Sequence, residues 1–406
     1  MLHVVADFWA SFGGKIALSS AWFACSVIAW RAWPQRARTL VQALLLALLA
    51  LLARATAWPL PASDDVHRYV WEGQLILDGA SPYATTADDP IYAQRQDENW
   101  RAMNHKDART AYPPLALILC ALIAKLSPSV AAFKLAASLA DVATIGILTL
   151  GLGANRLRWA ALYALNPLPL ISYTGEGHFD AFMVLAMSAA IVFLARPHIA
   201  WTALAIAIDI KILALLLLPV LWMKTAREKR LGAVLTLAIA IALPLLPFIH
   251  TLPNFLKGLT SFATTTSGNA TVHWLLELAT GSKPAATLLC GAALLGCMLT
   301  IHRCDGHAPT IARRHFTALL ILAPTVTYWY PGWALPFATL APSPALWVLS
   351  ATDIFYYAAA EHQAQHGWWW HPRWAWSLQW LPFIATLIYQ RTRPAHREKR
   401  VSAQEG

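Results

Sequence analysis

The run LVQALLLALLALLARATAWPL, residues 40–60, leads directly into PASDDVHRYVWEGQLILDGASPY, residues 61–83. The first segment is apolar along nearly its whole length, and a helix needs about 20 such residues to cross a bilayer. The second segment begins with two adjacent carboxylates, Asp64 and Asp65, followed by His, Arg, Tyr, Trp and Glu. A membrane-length helix therefore ends beside a charged and aromatic segment, and this junction predicts both a membrane fold and a candidate site.

The composition extends the membrane prediction to the whole chain. Of the 406 residues, 58% are hydrophobic and 13% are charged, and the mean hydropathy is +0.48. Soluble domains carry about 25% charged residues, so a chain this poor in charge cannot cover a surface that faces water. The 20 tryptophans agree, because Trp concentrates at membrane interfaces. These features predict a polytopic membrane protein and exclude a soluble domain.

The formal net charge of +10 comes largely from basic clusters in short segments between apolar runs. Such clusters are typical of cytoplasmic loops that meet anionic headgroups, so membrane lipids are expected partners and nucleic acid is not. The segment HRCDGH, residues 302–307, is interpreted as a polar loop in preference to a metal site. The five cysteines form no CxxC pair. We therefore predict no cofactor or metal, with a divalent ion as an open alternative.

Apolar runs of membrane length recur along the chain. They lie at roughly 15–31, 39–59, 133–153, 159–174, 178–195, 231–250, 284–301, 315–330, 345–360 and 375–390. The run 198–222 carries Asp209 and Lys211 near its middle, which predicts two short half-passes meeting at these charges. Segment 112–126 is short and opens with two prolines, which favours an interfacial or re-entrant helix. Segment 328–344 is predicted as another short, proline-broken pass.

These runs predict an all-α polytopic protein with roughly 11–13 transmembrane helices and an exterior loop that bears juxtamembrane helices. With the basic loops in the cytoplasm, residues 60–111, 175–180, 251–283 and 362–374 lie outside. The predicted divisions are N-terminal transmembrane helices (1–60), a first exterior loop (61–126), catalytic-module transmembrane helices (127–250), a second exterior loop (251–283), C-terminal transmembrane helices (284–390) and a basic cytoplasmic tail (391–406).

The charged and aromatic residues that follow Asp64 and Asp65 are spaced as on an α-helix. One Asp shares a face with Arg68 and Glu72, while Tyr69 and Trp71 can lie on the bilayer surface. Adjacent carboxylates repel each other, so the pKa of one rises toward that of a base where burial assists. The alternative interpretation is an amphipathic juxtamembrane helix whose Asp is only a cap.

Two further segments carry isolated charges. GEGHFD, residues 175–180, brings Glu176, His178 and Asp180 together after a proline-broken span; the alternative is a tight Gly turn with an Asp in the first turn of a helix. Lys211 with Asp209 is either a functional intramembrane pair or a structural pair at a turn.

Asp141 lies within the apolar run LAASLADVATIGILTL. An isolated intramembrane carboxylate is costly and needs a partner, and we expect this one to bond to a neighbouring helix.

Carboxylates, basic groups and aromatic rings are thus predicted on one membrane face. A carboxylate can take a proton from an acceptor hydroxyl, and basic groups can hold a departing phosphate. Tyr69, Trp71 and Tyr112 can stack on sugar rings. This set suits a reaction between a lipid-phosphate donor and a polar acceptor.

SDDVHRYVWEGQLILDGASPY resembles the first exterior loop of bacterial GT-C membrane glycosyltransferases, in particular the polyprenyl-phosphate-mannose-dependent group. Further matching segments follow in the family's order over roughly residues 55–225. They are AYPPLALILCALIAKL, FKLAASLADVATIGIL, NPLPLISYTGEGHFDAFMV and IAIDIKILALLLLPVLW. The chain departs from the family pattern at His67, Glu176 and Asp209.

The resemblance implies a GT-C-like fold and an inverting transferase that moves a mannose-like hexose from polyprenyl phosphate to a lipid or glycan hydroxyl. It implies a site on the exterior face of a bacterial inner membrane. Asp64 or Asp65 would be the general base, with Asp64 favoured. The donor and its phosphate would meet Arg68, His178, Lys211 and Tyr112, and further substrate contacts would come from Tyr69, Trp71, Glu72, Glu176 and Asp180.

Three other functions remain open from the sequence. A transporter or flippase of a lipid-linked saccharide would use the same intramembrane charges, although the chain lacks the inverted repeat that such folds often show. An exterior-face glycan ligase or polymerase would need Arg and His in a large late loop, and residues 251–283 offer few. A structural subunit of an envelope complex would not need the Asp pair.

Overall fold

A computed structural model describes residues 11–265, 268–303 and 306–392. Within these ranges the chain is helical and its one β pairing is an isolated bridge between Gly268 and Thr325, which confirms the all-α prediction. The helices are α1 (Phe12–Ala32), α2 (Thr39–Ala57), α3 (Asp64–Leu77), α4 (Glu98–Ala102), α5 (Pro114–Leu126), α6 (Val130–Leu152), α7 (Leu157–Ala164), α8 (Asp180–Val192), α9 (Pro197–Ile210), α10 (Leu218–Lys224), α11 (Arg230–Leu245), α12 (Leu252–Thr265), α13 (Val272–Thr280), α14 (Lys283–Arg303), α15 (Ala308–Leu322), α16 (Leu335–Leu340), α17 (Pro344–Thr352), α18 (Tyr357–His366) and α19 (Arg373–Thr392).

Five helical segments are long and apolar enough to cross a membrane: α1, α2, α6, the segment Arg227–Phe248 that contains α11, and most of α14. The protein is therefore a polytopic membrane protein, as predicted. The apolar helices α5 and α9 have 13 and 14 residues, or about 20 Å at 1.5 Å per residue, against a hydrocarbon core of about 30 Å. The total of 11–13 spans stays a prediction, because it depends on how these short helices cross.

Two runs predicted as single spans are broken. In residues 159–174, α7 ends at Ala164 and a π-helical turn, Leu170–Gly175, follows Pro167 and Pro169. Proline lacks the N–H that a helix interior requires. In residues 345–360, a 3₁₀ turn at Asp353–Tyr356 separates α17 from α18.

The run 198–222 is broken where the charges predict it. Helix α9 ends at Ile210, Lys211 is extended, and a 3₁₀ segment, Ile212–Leu217, leads into α10. Segment 112–126 forms the single short helix α5, and its interfacial or re-entrant placement stays a prediction.

Helix α3 packs closely along α5. Gly73 of α3 permits this contact, because a Cβ there would lie 2.5 Å from the carbonyl oxygen of Cys120 in α5. Val66, Tyr69 and Val70 face α5 and are almost fully buried. The prediction that Tyr69 and Trp71 lie on the bilayer surface is therefore wrong, since Tyr69 is inside this packing and Trp71 is buried against Tyr92 and Met103.

A buried ion pair joins three helices. Arg54 of α2 donates to the carboxylate of Asp141 in α6 and to the carbonyl oxygens of Ala50 and Ala164. The Tyr163 hydroxyl of α7 donates to the other oxygen of Asp141 at 3.0 Å. This confirms the prediction that Asp141 bonds to neighbouring helices.

Candidate active site

The two aspartates lie at the first turn of α3, where the helix dipole favours negative charge. Ser63 is the N-cap, and its backbone N–H donates to the carbonyl oxygen of Glu176 at 3.0 Å. The beginning of α3 is thereby joined to the GEGHFD loop. Two segments that are more than 100 residues apart in the chain thus share one site.

Asp65 points toward this loop. Its Oδ1 accepts a hydrogen bond from the Asn104 amide at 2.8 Å, and its Oδ2 lies 3.6 Å from Nδ1 of His178. The other ring nitrogen of His178 lies 3.4 Å from Glu176 Oε2. His178 is fully buried and its ring stacks on Trp329 with centroids 3.6 Å apart. This imidazole therefore lies between two carboxylates without a hydrogen bond to either, and its orientation is held by the stacking on Trp329.

Gly177 sets the position of this imidazole. It has φ +79°, and a Cβ there would approach the side chains of Val66 and Lys134 to 3.0 Å. Glycine adopts this left-handed conformation without steric cost. The loop can therefore turn tightly against α3 and α6.

Glu176 is held from two distant helices. Lys15 of α1 donates to its Oε1 at 3.2 Å, and the Tyr357 hydroxyl of α18 donates to the same oxygen. Burial alone would raise the pKa of Glu176, but the Lys15 ammonium and His178 lower it to about 2. Glu176 is therefore an anion at neutral pH, engaged by the protein itself.

A second ion pair, formed by Lys211 and Asp180, lies next to the cluster of Asp65, His178 and Glu176. Lys211 donates to Asp180 Oδ1 at 2.8 Å, and the indole N–H of Trp333 donates to the same oxygen at 2.7 Å. The Lys211 ammonium lies 5.1 Å from the Tyr330 ring centroid and 4.9 Å from that of Trp333. Asp180 is buried, whereas the Lys211 side chain keeps one fifth of its surface exposed. An ammonium in this position can meet a ligand while its counter-ion stays inside.

The charges of the Asp65 cluster and of the Lys211–Asp180 ion pair act on the same neighbouring side chains. The charges of Lys211, Asp180 and Asp65 all act on the Tyr330 hydroxyl. Tyr112 is affected by the same charges: its burial, and then the charge of Asp65, raises the pKa of its phenol. The hydroxyls of Tyr112 and Tyr69 lie 3.1 Å apart. The structure therefore pairs Asp65 with His178 and Lys211 with Asp180, and places Tyr112 within reach of the Asp65 charge. The roles of these residues stay predictions.

Asp64 differs from its neighbour because it is exposed. Its Oδ1 accepts hydrogen bonds from the Ser63 hydroxyl and the Asp65 N–H, each at 3.0 Å. Partial desolvation by nearby protein atoms, and then the charge of Asp65, raises the pKa of Asp64. An open carboxylate with a raised pKa is suited to accept a proton.

Other predicted site residues are engaged elsewhere. Arg68 pairs with Glu72 at 3.0 Å and donates to the carbonyl oxygens of Asn104 and His105. Both side chains are buried, and burial raises the pKa of Glu72. The indole N–H of Trp71 donates to the Arg95 carbonyl. This geometry favours a role in shaping the loop 90–105 over substrate contact.

The sequence analysis missed several members of the cluster: Lys15, Asn104, Trp329, Tyr330, Trp333 and Tyr357. Two features of the sequence could have indicated some of these residues. Lys15 is a lone cation near the start of an apolar run, and YWYPGW, residues 328–333, concentrates aromatic rings in one short segment. The 3₁₀ turn Tyr330–Trp333 brings these rings to Lys211.

No group of three or more His, Cys, Asp or Glu residues suited to a metal ion occurs among residues 11–265, 268–303 and 306–392. Cys304 and Asp305 of the HRCDGH segment lie outside these ranges. The predicted absence of a cofactor stays a prediction.

Comparison with known families decides the general chemistry. Residues 2–227, more than half of the chain, match the MptA_B family model, described as alpha-(1->6)-mannopyranosyltransferase, N-terminal domain. The chain belongs to this mannopyranosyltransferase family. The matched range holds both aspartates, His178 and Lys211, whereas Trp333 and Tyr357 follow it. Searches of curated proteins and of solved structures gave no match.

Family membership makes this protein a membrane glycosyltransferase of the mannosyltransferase type. A transferase needs a sugar donor and an acceptor. The carboxylates and cations of the cluster are the kinds of groups that such a reaction uses.

Proposed function

We propose that this mannosyltransferase is an inverting enzyme that takes mannose from a polyprenyl-phosphate donor on the exterior face of the bacterial inner membrane. The acceptor is a hydroxyl of a lipid or glycan. One observation carries the proposal: an exposed carboxylate with a raised pKa, Asp64, follows membrane helix α2, and the charge of its neighbour Asp65 acts on a partly exposed cation, Lys211.

Asp64 is the proposed general base. It removes the proton of the acceptor hydroxyl while the hydroxyl oxygen forms a bond to the anomeric carbon. The bond between that carbon and the phosphate oxygen breaks on the opposite side, so one displacement inverts the configuration. The departing polyprenyl phosphate is a stable anion and needs no strong acid.

Lys211 is the proposed phosphate ligand. One of its N–H bonds goes to Asp180, and an ammonium has three donors. The remaining donors are available to the phosphate, whose negative charge increases as it leaves the sugar. A fixed cation at such a position stabilises the transition state. Tyr330 and Trp333 hold the side chain from one side.

Asp65, His178 and Glu176 are proposed to position the base. Asp65 is occupied by Asn104 and approached by His178, and Glu176 fixes His178 through contacts to Lys15. In this arrangement the Asp65 side chain is held beside Asp64, where its charge raises the pKa of the neighbouring carboxylate.

An apolar groove supports a lipid donor. It has a volume of about 470 Å³ and is lined by Trp58 and by residues at the start of α6 such as Ala132 and Leu135. Lys134 of the same helix contacts the position of Gly177, which precedes His178. A hydrocarbon chain in this groove would therefore lie beside the loop of the candidate site.

The proposal is tested with purified protein in nanodiscs, supplied with either polyprenyl-phosphate mannose or GDP-mannose and an α-(1→6)-linked mannotriose acceptor. We expect transfer from the lipid donor alone, because the site opens at the end of membrane helices. The product linkage, read by NMR, should have the opposite anomeric configuration to the donor. Transfer from GDP-mannose or retained configuration contradicts the proposal, and lipid movement in proteoliposomes without a covalent product would indicate a transporter.

The pH dependence of kcat/KM should report the aspartate pair. Partial desolvation and the charge of Asp65 raise the pKa of Asp64 above its ordinary 3.8. The base therefore becomes protonated, and the rate falls, as the pH decreases through this raised pKa. Asp65→Asn removes the neighbouring charge and should shift this acid limb to lower pH. Glu176, with a pKa of about 2, ionises below this window. If the acid limb of the pH profile stays at the same pH in Asp65→Asn, the proposed effect of Asp65 on the pKa of Asp64 is contradicted.

A further inference from the structure

A second cavity is lined by none of the charged residues of the candidate active site. Its volume is about 230 Å³, and its walls come from the start of α1, from α18, from the Trp-rich loop that follows α18 and from the start of α19. We call it the α18 cavity; Phe12, Glu361, Gln365, Trp370 and Trp374 are among its lining residues. It is smaller than the roughly 300–1,000 Å³ of drug-sized ligand sites, which suits a single sugar ring.

The α18 cavity continues from the candidate active site along two helices. On α18, Glu361 and Gln365 follow Tyr357 by four and eight residues and so lie on the same face. On α1, Phe12 precedes Lys15 by three residues and shares its face. Tyr357 and Lys15 are the two residues that hold the buried Glu176 carboxylate. At 1.5 Å per residue, the first polar group of the cavity is about 6 Å along α18 from Tyr357.

The lining has the chemistry of a carbohydrate site. The Gln365 amide donates to Glu361 Oε1 at 2.9 Å, which leaves the second carboxylate oxygen and the amide carbonyl outside that bond. Sugar hydroxyls can donate to both. Trp370 and Trp374 are 44% and 52% exposed. Trp370 contacts His362 and Trp374 contacts Phe12, and the ring surface that stays exposed can meet the C–H face of a pyranose ring. The Glu361 carboxylate disfavours an anionic sugar.

We propose that the α18 cavity binds an uncharged sugar residue of the acceptor glycan and thereby directs the acceptor hydroxyl toward Asp64. This assignment rests on the proposed glycosyl transfer. An aromatic belt at the membrane interface would explain exposed tryptophans, but it does not explain a carboxylate–amide pair within the same small cavity.

Trp370→Ala tests the subsite, with Trp369→Ala as a matched control. Trp369 lies in the same loop and is equally exposed at 43%, but it packs against Tyr356 and does not line the α18 cavity. Trp370→Ala should raise KM for the α-(1→6)-linked mannotriose acceptor by roughly 10-fold or more, the loss expected for an aromatic binding contact. Both kcat and KM for the donor should stay within about twofold. Equal effects of the two substitutions, or no effect of Trp370→Ala, would overturn the subsite.

A binding measurement separates this proposal from the proposed function. Saturation-transfer NMR with mannotriose should detect binding to the wild type, Asp64→Asn and Trp369→Ala, and not to Trp370→Ala. Binding in this pattern without any transfer would overturn the proposed function and support the subsite. Transfer without mannotriose binding, or with equal loss in both Trp variants, would overturn the subsite and leave the function standing.

Discussion

Asp64→Asn should lower kcat by roughly 10²–10⁴-fold, the contribution that a general base makes to proton transfer. Asparagine preserves the size of the side chain and can still accept hydrogen bonds from Ser63 and Asp65. It cannot accept the acceptor's proton. The measurement is mannosyl transfer in nanodiscs, together with the dissociation constant of the lipid donor, which should change little.

Two further variants sharpen this test. Asp107→Asn removes another exposed carboxylate from the segment between α3 and α5 and should leave the rate unchanged. Asp65→Asn should lower the rate less than Asp64→Asn does, since the amide oxygen of the new side chain could still accept the hydrogen bond from Asn104. If the order is reversed, Asp65 is the base; if both variants work at the wild-type rate, the aspartates have no catalytic role.

Arg54→Met should lower the free energy of unfolding by about 3–5 kcal/mol, the cost of removing one partner from a buried ion pair. Asp141 has no exposed side-chain surface and would keep only the Tyr163 hydroxyl as a partner. The carbonyl oxygen of Ala164 would also lose its side-chain donor. Reversible unfolding in mixed micelles measures the effect.

The double substitution Arg54→Met with Asp141→Leu should recover most of this loss, because replacing both members of a buried pair by apolar groups is often neutral. Arg36→Met is the control: Arg36 is exposed between α1 and α2, and a surface change of this kind shifts stability by roughly 0.5 kcal/mol or less. A double variant as unstable as Arg54→Met alone would show that the arginine stabilises the fold by means other than this pair.

Local patterns were enough to predict several features. The Ser63 cap and the aspartates at the first turn of α3 are properties of adjacent residues. The break at Lys211 follows from two charges inside an apolar run, and the bond from Asp141 to another helix follows from the cost of an isolated intramembrane charge.

Other predictions failed because packing decides them. Tyr69 and Trp71 were predicted on the bilayer surface, but α3 is covered by α5 and by the loop 90–105. Arg68 lies buried against Glu72, and its predicted contact with phosphate stays a prediction. A helical period gives the face of each side chain and says nothing of what covers that face.

The sequence alone determined that this is an α-helical membrane protein and that a pair of carboxylates stands where a membrane helix ends. Composition and hydrophobic run length suffice for this, since lipid forces each apolar segment to satisfy its own backbone. The tertiary structure alone decided which charges meet. Glu176 pairs with Lys15 and Tyr357, which are 161 and 181 residues away, and Asp180 meets Trp333 across 153 residues. Such pairs depend on how whole helices pack, and no local pattern encodes that arrangement.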